Sequence, residues 1–181
     1  MNSERLYARV RPAALVHHAR WIASIRPTEQ GGPNKGQLVE FFQRAVDGKA
    51  TGEPWCLAFV WACIQYVDGL FAHVFEDRHD SHLYPSEHVL TMWRNSPAGR
   101  VALPNPGDLM LWNHHKGGVP TEAGHVGIVV DVPGDGVIRT VEGNTSAGEG
   151  VVREGDGVYE RVRHIDGAGD MRVLGYLRVW Q

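Results

Sequence analysis

One run constrains the fold of this chain more than any other: "WCLAFVWACIQYV", residues 55 to 67, where Gln65 is the sole amide or charged side chain. It follows Pro54 and runs into Asp68-Gly69. The spacing predicts a helix with Pro54 in its first turn, where the missing N–H costs nothing, and an end near Gly69. Being apolar almost all round, such a helix has no face to give to water and must be central to the core.

The segments around it divide in two. Leu6 to Ile25 carries a mixed apolar and basic helical pattern, and "NKGQLVEFFQRAVDG" sets Leu38, Val39, Phe42 and Val46 at helical spacing before a stop at Gly48. "RPTEQGGPNKG" between them is a turn-rich connector. "PSEHVLTMWRNSP" reads as a shorter helix capped by Ser86 and bounded by Pro97. From Pro104 onward the texture changes to short β-rich segments, "GDLMLWNH", "HVGIVVDV", "GVIRTVEGN", "GVYERVRHI" and "RVLGYLRVW", parted by Gly, Pro and Asp. Helices followed by strands predict an α+β domain whose antiparallel sheet, of about five strands, curls toward a barrel.

At 181 residues the chain fits one domain with a real core. A formal net charge of -3, with both signs scattered, leaves no footprint for nucleic acid or anionic lipid. The first residues mix arginine and histidine where a secretory leader needs an unbroken apolar stretch, and they read as a mature amphipathic helix. No apolar run is read as reaching the roughly 20 residues of a membrane span, so the expectation is a soluble monomer without membrane insertion.

Both cysteines of the chain, Cys56 and Cys63, lie on the central helix. Seven residues of helix separate them by about 10 Å, beyond disulfide reach, so both should be free thiols. A cysteine is a strong nucleophile where its thiolate is stabilised, and the unpaired N–H groups and positive dipole end of a helix start do this. Cys56 sits at such a start, whereas Cys63 lies mid-helix among apolar neighbours and reads as packing. A thiol nucleophile also needs a base nearby in space. Of ten histidines, His125 stands out because it opens an apolar strand directly after a glycine, and Gly124 and Gly127 are expected to leave room for a ligand. Glu142 and Asn144, two apart on the next strand, share a face. A carboxylate or an amide beside the imidazole would fix its tautomer and stabilise its charged form.

Taken in order, "GEPWCLAFVWACI", "PNPGDLMLW", "GHVGIVVDV", "TVEGNTS" and "LGYLRVW" resemble the successive motifs of CHAP-domain peptidoglycan hydrolases, within the wider NlpC/P60 papain-like class. The resemblance spans roughly residues 30 to 180 and divides the chain into an N-terminal helical extension, 1–29, and a CHAP-like catalytic domain, 30–181. It implies Cys56 as nucleophile, His125 as general base, Glu142 as the residue orienting that base, and Asn144 as a further polar partner. The implied reaction cleaves an amide of the stem or cross-bridge peptide, as endopeptidase or N-acetylmuramoyl-L-alanine amidase, with no cofactor. The acidic calcium loop of some members is missing before Cys56, where only Asp47 and Glu53 occur, so no metal is expected. Peptidoglycan is the expected partner, reached from a cytoplasmic site of synthesis by lysis or delivery; an interbacterial toxin would add an immunity protein that plugs the cleft.

Two other classes stand beside this reading: a thiol transferase or deamidase acting on a protein, and a wall-binding module that has lost its chemistry. Trp55 and Trp112 are placed as substrate-binding aromatics by their positions beside Cys56 and ahead of His125, together with the "NHHKGG" segment; burial is the competing reading for each tryptophan. Asp108 in "PGDLMLW" reads as a turn residue that registers the sheet. "HVFEDRHDSH", residues 73 to 82, is rich in histidine and carboxylate, yet lacks a His-Glu-x-x-His spacing and reads as a solvated loop.

Overall fold

In a computed structural model that describes residues 3–75, 81–148, 155–167 and 169–180, four helices precede an antiparallel sheet. The helices are α1 (Ser3–Ile25), α2 (Gln37–Asp47), α3 (Cys56–Phe75) and α4 (Val89–Asn95). The strands are β1 (Arg100–Val101), β2 (Leu109–Lys116), β3 (Val119–Gly134), β4 (Val137–Thr145), β5 (Gly157–His164) and β6 (Met171–Leu177). Their order across the sheet is β1-β6-β2-β3-β4-β5. The α+β class follows the expectation; the sheet has a sixth strand, the two-residue β1 on β6, and it stays open rather than closing to a barrel. At its β5 edge the connector after α1 supplies the missing partner: Thr28 bridges Gly157, and the Glu29 N–H donates to Asp156 O at 2.7 Å. Covering an edge in this way removes a template for wrong pairing.

The central helix is α3. Leu57, Phe59, Val60, Cys63, Ile64, Val67 and Phe71 are all buried in the main core with Val126, Ile128, Val130 and Val141 of the sheet. This helix corrects two expectations. It runs past Asp68-Gly69 to Phe75, because the Asp68 carboxylate is taken up by Arg11 (3.2 Å) and by the Trp180 indole N–H (2.8 Å) instead of ending the helix. By length and composition, Cys56–Val74 is also apolar enough to cross a membrane, against the expectation that no segment is, but half of it is buried in the domain's own core, with Tyr66, Leu70 and Val74 exposed. Pro54 lies ahead of the helix rather than in its first turn.

The α2 helix ends where the sequence places its stop: Gly48 takes the left-handed conformation, φ 83°, and its N–H closes on Arg44 O. Val39 and Phe42 face inward as expected, while Leu38 stays exposed. Leu15, Ala19 and Ile22 of α1 enter the same core as α3, so the N-terminal helix packs as part of the domain's helical layer. In place of the expected Ser86 cap, α4 starts after His88; Ser86 Oγ instead accepts from the His88 N–H at 3.0 Å, tightening the turn that leads in.

Candidate active site

Cys56 is the first residue of α3, and Trp55 O accepts the first helical hydrogen bond, from Phe59 N at 2.9 Å. This start is held firmly. The Trp55 indole donates to Glu29 at 3.0 Å and stacks on Phe42, and Gly143 of β4 has no side chain because a Cβ there would lie 2.6 Å from Phe59 Cβ. The close approach brings the helix start against β4. The early N–H groups of any helix lack intrahelical partners, so the thiol stands at a naturally electropositive point. Cys56 shares a cleft of about 530 Å³ with Glu53, Glu87, His114, Lys116 and Asn144. Cys63 is fully buried, and burial pushes its thiol well above the ordinary range. Both cysteines are free.

His125 lies in β3, six residues after the strand begins, and not at its opening as the sequence suggests. Its Nε2 is 2.8 Å from Glu142 Oε2, which leaves Nδ1 as the free ring nitrogen, and the Cys56 side chain lies near enough to help hold a proton on the ring. Burial works against a charged imidazole here; the nearby Cys56 side chain and the Glu142 carboxylate, which accepts the ring N–H, outweigh it and raise the pKa to about 9.

Glu142 is completely buried. Burial alone would favour its protonated form, but Arg163 and His125 hold it well below the usual carboxylate range. Arg163, on β5, forks onto the carboxylate with Nε at 2.7 Å and an Nη at 2.5 Å, while Thr140 Oγ1 donates to Oε1 at 2.5 Å. The sequence reading missed Arg163. "GVYERVRHI" offers Glu160, Arg161 and Arg163, and only the packing of the strand against β4 shows which one reaches the buried acid. Gly127 differs from expectation, because it makes room for protein: a Cβ there would sit 2.6 Å from Glu142 Cγ. Gly124 does line the cleft with Cys56, and a Cβ on it would also sit 3.0 Å from Val89.

Asn144 adopts a left-handed backbone, φ 52°, at the end of β4, and it lines the cleft with Cys56. It makes no hydrogen bond to His125 among the described residues. Its buried Oδ1 has no protein partner there.

Two site expectations need correction. Trp55 and Trp112 are both 0% exposed, so neither can stack on a substrate. Trp55 anchors the start of α3, as above. Trp112, across β2 from His125, lies against the imidazole with ring centroids 5.6 Å apart and carries the Arg163 guanidinium 5.8 Å over its ring. The "NHHKGG" segment does border the cleft, through His114 and Lys116. Asp108 is structural: it accepts from Asn105 N at 2.8 Å and pairs with Arg178 at 3.3 Å. Of the histidine- and carboxylate-rich stretch, residues 76–80 lie outside the described residues.

A thiol at a helix start, a histidine on the neighbouring sheet and a buried acid behind it, in an α+β frame, define the papain-like class of cysteine-centred sites. More narrowly, the CHAP domain family model matches residues 48–144, just over half of the chain, and the chain belongs to the CHAP-domain family. CHAP domains are generally hydrolytic enzymes of peptidoglycan, which supports hydrolase or amidase/peptidase activity in general. No curated protein matches the chain. The match takes in Cys56, His125, Glu142 and Asn144, and it ends before Arg163.

Proposed function

We propose that this chain is a cysteine peptidase or amidase of the CHAP type, cutting an amide bond in the stem or cross-bridge peptide of peptidoglycan. One observation carries the reading: a single imidazole bonded to a fully buried carboxylate, Glu142, and close to the Cys56 thiol, which stands at a helix start and lines an open cleft.

In this mechanism Cys56 gives its proton to His125 as the sulfur attacks the amide carbonyl, and the developing oxyanion is met by N–H groups at the start of α3, with Asn144 alongside. The C–N bond breaks as His125 passes that proton to the leaving amine, leaving a thioester on Cys56. Water then attacks the thioester while His125 takes up its proton; the C–S bond breaks, the acid leaves, and His125 returns the proton to sulfur, restoring the thiol. Glu142 keeps the ring in one tautomer and orientation throughout. Chemistry of this kind calls for no metal ion or cofactor.

We assign residues 30–181 as the catalytic unit and 1–29 as a helical extension packed against it. The reaction belongs in the murein layer, where the substrate is. If the chain serves as an antibacterial toxin, its neutralising partner would have to fill the cleft around Cys56.

Mass spectrometry of muropeptides after digestion of purified sacculi tests this reading. New peptide amino termini identify an endopeptidase, and stem peptides freed from sugar identify an amidase. Unchanged muropeptides together with a modified protein acceptor would replace the reading by a thiol transferase or deamidase.

A further inference from the structure

We propose that Arg163 is a positioning residue for this site: by forking onto Glu142 from β5, it compensates the buried carboxylate whether the His125 ring is charged or neutral. The inference rests on the reading of Cys56 and His125 given above.

The argument begins with what turnover demands of the ring. His125 must be charged to protonate a leaving amine and neutral to accept a proton from water. Each time it becomes neutral, Glu142 loses one of its two positive partners and keeps only Arg163. A lone carboxylate at 0% exposure is costly, and it would draw the proton back or take one itself. Arg163 is 4% exposed and stays charged at every working pH, so its two short contacts keep the carboxylate paired in both states.

The second requirement is release of the proton at the right moment. When Cys56 becomes acylated, it can no longer carry the negative charge that helps to hold a proton on the ring. Glu142 alone then favours the imidazolium, and the fixed positive charge of Arg163 offsets that pull. Among the described residues the charged groups facing Glu142 are few. His125 comes from β3 and Arg163 from β5; the other ionisable side chains that β5 pairs against β4 turn elsewhere, Arg161 to Ala147 O and Gly148 O, Tyr159 to Asp156 and Glu160 to Arg20, while His164 is exposed. Trp112 of β2 lies under both the imidazole and the guanidinium, fixing their separation.

The test follows the His125 C2–H signal by NMR through a pH titration, with the signal identified against His125→Gln. In Arg163→Met the midpoint should move up by roughly one unit, because the His125–Glu142 pair then holds its proton more tightly whichever partner carries it. Arg163→Lys, which keeps the charge and loses the fork, should titrate near the wild type. The kcat–pH profile of Arg163→Met on cell walls should shift in the same direction, whereas a merely structural residue would lower the amplitude and leave the midpoints in place. Because the titration needs no turnover, its outcome stands apart from whether peptidoglycan is the substrate.

If Arg163→Met does not fold, Glu142→Gln is compared with Glu142→Gln/Arg163→Met, in which no buried charge is left alone. An equal activity in the two supports action through Glu142; a further loss of tenfold or more in the double variant overturns it. An unmoved midpoint in a folded Arg163→Met also overturns it.

Discussion

His125 Nε2 and Glu142 Oε2 lie 2.8 Å apart, the ring 2% exposed and the carboxylate fully buried. This contact fixes the imidazole's orientation and leaves Nδ1 as the ring nitrogen free to serve Cys56. Glu142→Gln keeps the shape but supplies an amide where the ring needs an anion. In the assay on cell walls, kcat/KM should fall by about 100-fold or more, the range associated with a positioned acid–base group. A loss under threefold would remove Glu142 from the mechanism.

The same pair gives a pH dependence of stability whose sign can be worked out. The folded-state pKa of His125 is raised to about 9 from an ordinary 6.5. Its contribution is therefore fully present below pH 6.5 and is lost as pH rises through about 9. Thermal melting should show Tm falling across that window, with each kcal/mol worth about 2–4 °C at this chain length. His125→Gln should flatten the fall; an equally steep fall in that variant would contradict the assignment.

Glycine at 127 and at 143 serves two different contacts. Gly127→Ala drives a methyl against Glu142 Cγ, and Gly143→Ala drives one against Phe59 and Trp55. Each should cost about 1–3 kcal/mol of stability in denaturant unfolding. The Gly127 variant should lose activity even under conditions where it is fully folded, since the group displaced is the one behind His125. Full activity in folded Gly127→Ala would show that Glu142 tolerates displacement.

Burial of the two tryptophans yields a contrast in kinetics. Trp55→Phe removes the hydrogen bond to Glu29 and should lower stability by about 1 kcal/mol with KM unchanged. Trp112→Phe reshapes the surface under His125 and should lower kcat with KM again unchanged. A raised KM with unaltered Tm would return either residue to the substrate site.

Much of this arrangement is legible in the sequence, for physical reasons that differ by element. The helix α3 announces itself because an all-round apolar run can only be buried, and Gly48 because a left-handed stop needs glycine. Cys56, His125 and Glu142 are legible from chemistry: a thiol at a helix start needs a base, and a base needs an anchor. What escapes is whatever depends on register and on packing between distant strands. The two residues of β1 form a strand only because β6 passes beside them. The early part of β3, with Pro120, Thr121 and Glu122, is polar, and it becomes strand through pairing with the end of β2 across the Gly117-Gly118 turn. Arg163 looks like any outward arginine of an alternating strand until Glu142 is found buried in front of it.

The central claim is that Cys56 alone of the two thiols is the nucleophile, and the most direct measurement sets Cys56→Ala beside Cys63→Ala in turbidity clearing of purified cell walls. Cys63, buried without a polar partner role, should be replaceable with most of the rate retained. Cys56→Ala should clear nothing above the buffer rate while keeping the wild-type circular dichroism spectrum. Equal rates for the two variants, or clearing by folded Cys56→Ala, would contradict the account.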